Sequence, residues 1–165
     1  MTARYRERSP AFAKLTPVKM GSNRVSAAAE SEYLADVALA ANFNDLLAAA
    51  QQAEQEYRKA QAAGAPASEQ YPLARRLDVA LTDAMHAAYA AQRAEIGPLG
   101  YEDRIYRRKA KAKPAVHAWT DEAERLLTLR ETHQLTGFPA MPRAEELGAE
   151  IARLPEATGA AGAAH

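Results

Sequence analysis

Apolar residues recur at helical spacing along most of the chain, and the clearest run lies between Asn44 and Ile96. In its first half Leu46, Ala50, Ala53, Tyr57 and Ala60 follow one another at steps of four and three. In its second half Leu73, Leu77, Ala80, Ala84, Ala87 and Ala91 do the same. Steps of three and four place each set on one face of a helix. Between them Gly64-Ala65-Pro66-Ala67-Ser68 interrupts the period, with a glycine stop and, at Pro72, a proline suited to a first helical turn. The pattern predicts an antiparallel helical hairpin over about 45–63 and 72–96.

The flanking segments extend the helical reading. Ser26 can cap a helix to about residue 41, with Tyr33, Val37 and Ala40 on one stripe and Leu34, Ala38 and Ala41 beside it. Asn42-Phe43-Asn44-Asp45 either breaks this helix from the next or is read through, so 26–63 is one helix or two. Gly97-Pro98-Leu99-Gly100 ends the hairpin. A short helix is expected over 101–113, then Pro114 kinks it or opens another that runs to about 135. Phe138-Pro139-Ala140-Met141-Pro142 reads as an apolar turn, and a last helix over 143–154 shows Ala144, Leu147, Ile151 and Leu154 on one side. No strand-like alternation of useful length occurs. The expected fold is all-α, a bundle over 26–155 with an extended basic N-terminal arm (1–25) and a flexible C-terminal tail (156–165).

Composition changes this picture in one respect. Of the 165 residues 41 are Ala, against 38 of all larger apolar types together, so over half of the apolar residues carry only a methyl group. Alanine is the best helix former but removes little area from water on burial. Long, closely spaced helices around a thin core are expected, and such a bundle gains from a partner that covers its remaining stripes.

Charge is segregated although the net charge is zero. Residues 1–24 carry +5, 25–103 carry −7, 104–118 carry +6 and 119–165 carry −4. Blocks of alternating sign favour attraction between segments or subunits, or are simply solvated faces. In the basic arm, Phe12 and Leu15 are candidate interface anchors between Ser9-Pro10 and Thr16-Pro17. The arm is either disordered or ordered against a partner. Phe138 and Met141 are candidate anchors on the apolar turn. Trp119, the single tryptophan, is expected in the core.

Candidate chemistry is sparse. Arg104, Arg107, Arg108 and Lys111 fall at i, i+3, i+4 and i+7, a cationic stripe that would suit backbone phosphates or an acidic protein face. No helix-turn-helix, zinc-finger or RNA-binding signature accompanies it. Cysteine is absent, which removes thiolate chemistry and Cys-based metal sites. Asp83 and His86 share a helix face, but no second pair completes a bundle metal site; His117–Asp121, His133 and His165 read as surface or hydrogen-bonded histidines. Neither a nucleophile elbow nor a phosphate loop occurs. No catalytic, cofactor-binding or metal-ligating residue and no cofactor is assigned.

No apolar run approaches the roughly 20 residues of a membrane span, and no apolar segment follows the basic N-terminus as in a signal peptide. These features lead to the expectation of a cytoplasmic, non-enzymatic helical assembly protein. It would form a homo-oligomer or part of a larger complex, such as a phage particle. The alternative is a nucleic-acid-binding accessory protein using the arm and the 104–113 stripe.

Overall fold

A computed structural model of the chain describes residues 25–140, and among these every regular element is helical. In order they are α1 (Ala27–Ala41), α2 (Phe43–Ala62), α3 (Ala67–Ile96), α4 (Leu99–Glu102), α5 (Arg104–Ala110) and α6 (Pro114–Thr132). A π-helical turn, His133–Gly137, continues α6. The expected arm, the helix over 143–154 and the tail lie outside the described residues, as do Phe12, Leu15 and Met141.

The 30-residue α3 is the axis of the molecule and packs against α1, α2 and α6. At 1.5 Å per residue it spans roughly 45 Å. Cross-links fix the direction of its neighbours. Asp36 of α1 meets Arg93, and Glu56 of α2 meets Arg76, so α1 and α2 together run antiparallel to α3. On another side Thr120 bonds Gln92, and His133 bonds the carbonyl of Ala74, so α6 is antiparallel to α3 as well. The result is a three-helix bundle whose first member is divided into α1 and α2.

That division lies at Asn42 alone. Its backbone N–H donates to Leu39 and Ala40 carbonyls, its side-chain amide donates to Ala38 O at 3.2 Å, and its own carbonyl accepts from Leu46 N at 3.0 Å. One residue thus ends one helix and begins the next, which decides for two helices over 26–63. Ser26 caps α1 as expected, its hydroxyl accepting from Ala29 N at 3.2 Å.

The hairpin loop is shorter than expected because α3 begins at Ala67 rather than near Pro72. Pro66 supplies the opening carbonyl, accepting from both Glu69 N and Gln70 N at 3.0 Å, so a full turn forms before Pro72 is reached. A proline this near the start costs one backbone bond without ending the helix. At the other side of the loop Gly64 has φ 66°, with Ala65 N donating to Ala60 O and Gly64 N to Gln61 O, each at 3.0 Å. This paired reversal is the glycine-dependent helix stop.

The single helix expected over 101–113 is instead two. Asp103 leaves helical geometry (ψ 105°) and its carboxylate accepts from Ile105 N and Tyr106 N at 2.8 and 2.9 Å, which starts α5 afresh. Pro114 opens α6 rather than kinking the preceding helix.

The core follows the expected thinness. Among the described residues 24 apolar side chains are buried and 13 of them are Ala, most of these along α3. Volume is concentrated at a few points: Phe43 and Leu126 are fully buried, and the Phe43 ring meets Trp119 edge-on at 5.1 Å and 88°. Aromatic pairs in this geometry add stabilisation beyond the area they bury. In α2 the buried face is Phe43, Leu47, Ala50, Ala53 and Tyr57, with Leu46 at its edge, so the inward stripe is centred one position from the predicted one at its start. In α3 the expected Leu77, Ala84, Ala87 and Ala91 are buried, joined by Ala74, Leu81 and Ala88, whereas Leu73 and Ala80 are only partly buried. A smaller cluster of Ile96, Ala110 and Val116, with Tyr106 against it, closes the α4–α5 end.

Candidate functional site

Among the described residues, α1 carries an apolar row that no other described element covers. Ala29, Tyr33 and Ala40 are buried against the bundle, whereas Leu34, Ala38 and Ala41 face outward. Leu34 is 50% exposed, and Leu39, about 140° further round the helix, is 37% exposed. A helix with apolar residues on both sides is ordinarily covered on both sides. The small residues between the leucines would let a second helix axis come near, within the usual range of about 8–10 Å.

Below this face lies a cleft of about 560 Å³ bounded by α1, α3 and the α4–α5 corner. Its polar centre is Asp36, whose carboxylate accepts from Arg93 Nε at 2.7 Å, Arg93 Nη2 at 2.6 Å and the Tyr101 hydroxyl at 2.5 Å. Burial first, and then the bond to Asp36, raise the Tyr101 phenol above its ordinary value of 10.0. The Asp36 hydrogen bond likewise raises Arg93. Tyr101 therefore keeps its proton at neutral pH and donates it to Asp36. The cluster ties α1, α3 and α4 together. Nearby, Glu102 accepts from the Ser26 backbone N–H at 3.2 Å, fastening the start of α1 to α4.

The cationic stripe is divided between two tasks. Arg107 turns back on α4, donating from Nε to Gly100 O and from Nη2 to Tyr101 O at 2.9 Å. With Lys111 it lines the cleft. Arg104 and Arg108 are exposed on α5, together with Lys109, and Lys111 is the residue at which α5 ends. Bidentate phosphate binding by Arg107 would require giving up its two carbonyl partners. Arg104, Arg108, Lys109 and Lys111 carry no such cost.

Elsewhere the sequence-predicted residues separate. Phe138 is half-buried at the far end of the bundle, its ring 5.7 Å from Tyr71 and 5.1 Å from His133. His133 is itself buried, bonded through Nε2 to Ala74 O at 2.8 Å, while Tyr57 donates its hydroxyl to Gly137 O. Asp83 and His86 are both exposed, and His117 meets Asp121 at 3.0 Å on the surface of α6. Among the described residues no group of three or more His, Asp or Glu is arranged to hold a metal ion. None of the described helices is long and apolar enough to cross a membrane.

The Asp36–Arg93–Tyr101 cluster was not legible in the sequence, since its members lie 57 and 65 positions apart and belong to no motif. The outward stripe of α1 was legible as the second of two adjacent apolar rows, although nothing in the period told which row faces in. Compared with known proteins, the chain matches no family model, no curated protein and no solved structure.

Proposed function

We propose that this protein is a non-enzymatic helical assembly unit that associates with a second copy of itself through the outward face of α1. The observation that carries the reading is the pair of apolar stripes on α1, of which the other described elements cover one. The methyl-lined core supports it, because a bundle with so few large buried side chains gains from further apolar burial at about 25 cal/mol per Å². Ala38 and Ala41 allow close approach of a partner helix while Leu34 supplies area on the same row and Leu39 adds exposed area further round the helix.

Size-exclusion chromatography with light scattering tests this. The wild-type chain is expected at a multiple of its 17.9 kDa mass, and Leu34→Glu combined with Leu39→Glu at 17.9 kDa, with helical content retained. A wild-type chain that stays monomeric up to high micromolar concentration sinks the proposal.

A second reading draws on the exposed group Arg104, Arg108, Lys109 and Lys111, which would contact nucleic-acid phosphates without regard to base sequence. Its signature is binding that weakens steeply with salt and disappears when these four residues become Ala.

A further inference from the structure

The cleft bounded by α1, α3 and the α4–α5 corner carries positive charge that the fold orients without neutralising. Asp36 is occupied by Arg93 and Tyr101, which closes one ion pair inside the cleft. Arg107 is held by the carbonyls of Gly100 and Tyr101, which fix its guanidinium and leave its charge uncompensated. Lys111, also lining the cleft, makes no side-chain hydrogen bond or ion pair among the described residues. We propose that this cleft binds a small organic anion, a carboxylate or a phosphate monoester, through Arg107 and Lys111 with Arg93 beside them.

A chain of hydrogen bonds brings the cations to one place. Arg107 Nη2 donates to Tyr101 O, the Tyr101 hydroxyl donates to Asp36 Oδ2, and the same oxygen accepts from Arg93 Nε. Lys111 follows Arg107 by one helical turn, its backbone N–H donating to Arg107 O at 3.2 Å, so the two side chains rise from one face.

Donors exceed acceptors at this point. Each arginine commits Nε and Nη2 to the protein, which leaves Nη1 of both and the Lys111 ammonium without an acceptor among the described residues. An anion reaching Nη1 of Arg107 leaves its two carbonyl bonds intact. Because such bonds already fix both guanidinium groups, little side-chain freedom is lost on binding.

Size and lining point to an organic ligand. The volume of about 560 Å³ falls within the range of roughly 300–1,000 Å³ usual for small-molecule sites, and Ala35 and Ile96 supply apolar surface for a carbon body. Glu32, exposed on α1, is the acid in the cleft that opposes an anion. It stands against Arg107 and Lys111 together, so the balance outside the Asp36–Arg93 pair stays positive, and removing it should strengthen binding.

Amide chemical shifts of the full chain, titrated with benzoate, phenyl phosphate and benzamide, test this. Benzamide matches benzoate in shape without its charge. Benzoate or phenyl phosphate is expected to shift Gly100, Tyr101 and Lys111 saturably at millimolar concentration or below, and benzamide to leave them unmoved. The tighter of the two anions identifies the head group. Lys111→Ala should weaken binding at least about tenfold, whereas Glu32→Gln should strengthen it about two- to fivefold. Arg104→Ala, on the exposed side of α5, should change it by less than about twofold. The other amide signals should stay in place in each variant, which separates a local loss from unfolding. Equal shifts with benzamide, or no saturable shift with either anion, overturn the proposal. So does a Glu32→Gln variant that binds no more tightly. An equal loss in Arg104→Ala and Lys111→Ala also overturns it, and would assign the anion to the outer surface of α5.

Discussion

Asp36 is partly enclosed, and three hydrogen bonds from two partners converge on its carboxylate. The phenol among those donors gives the cluster a signature in alkaline solution. Because the folded state holds the Tyr101 proton above its ordinary value of 10.0, unfolding releases it at any pH between the two values. Below 10.0 both states are protonated and the contribution is complete; as pH rises toward the folded value it is lost. Tyr33, raised by burial and by Glu95, acts in the same sense. The urea midpoint is therefore expected to fall between pH 9 and pH 11, and to fall less in Tyr101→Phe. Equal slopes for the two proteins would show that the phenol does not sense the cluster. Single residues of this kind are invisible to periodicity, because Asp36 and Arg93 look like any other charged position on a helix. The local exceptions are those that act over two or three residues, such as Ser26 at the start of α1, whose capping role follows from its place before an apolar row.

At the scale of elements, the chain's punctuation was read with uneven success, and the reasons are physical. Glycine stops worked: Gly64 and Gly97 both adopt positive φ, 66° and 96°, where a β-carbon is strained. Gly97, with ψ 170°, lies in a region nearly reserved for glycine, whereas Gly64 lies in the left-handed helical region that other residues can enter at lower cost. Gly97→Ala is thus expected to destabilise the fold by about 1–3 kcal/mol and Gly64→Ala by about 1–2 kcal/mol. Urea titrations of the two variants check the order, and a smaller loss at Gly97 would contradict it. Proline and aspartate misled the reading. Pro72 suggested a helix start but sits one turn and more inside α3, because Pro66 provides an earlier opening. Asp103 was hidden in a helical run and divides it by capping its own successors. Both outcomes depend on which competent residue captures the first backbone donors: at the start of α3 it is the Pro66 carbonyl, and at the start of α5 the Asp103 carboxylate.

For the whole molecule, class and connectivity were the most legible, since three- and four-residue steps over long alanine-rich runs admit little but helices. Sidedness was the least legible. With alanine on several faces of α1 and α3, the apolar stripes overlap, and the inward one is chosen by where Phe43, Trp119, Leu77 and Leu126 can meet. The candidate site shares this property: the stripe Leu34, Ala38, Ala41 was visible, but its outward direction was not. Concentration of volume at so few points makes the bundle sensitive there. Phe43→Ala is expected to cost about 3–5 kcal/mol, a large part of the roughly 5–15 kcal/mol that domains possess. Unfolding can be followed through the fluorescence of Trp119, against which Phe43 packs. A loss below about 1 kcal/mol would mean that the core closes over the gap.

The seam along α3 has a different implication. Where Ala84, Ala87, Ala88 and Ala91 are buried to 0%, the spacing of the helices is itself set by the absence of anything bigger than a methyl. Any broader residue there must wedge two rods apart along much of their length, so these four positions act as the gauge of the whole scaffold.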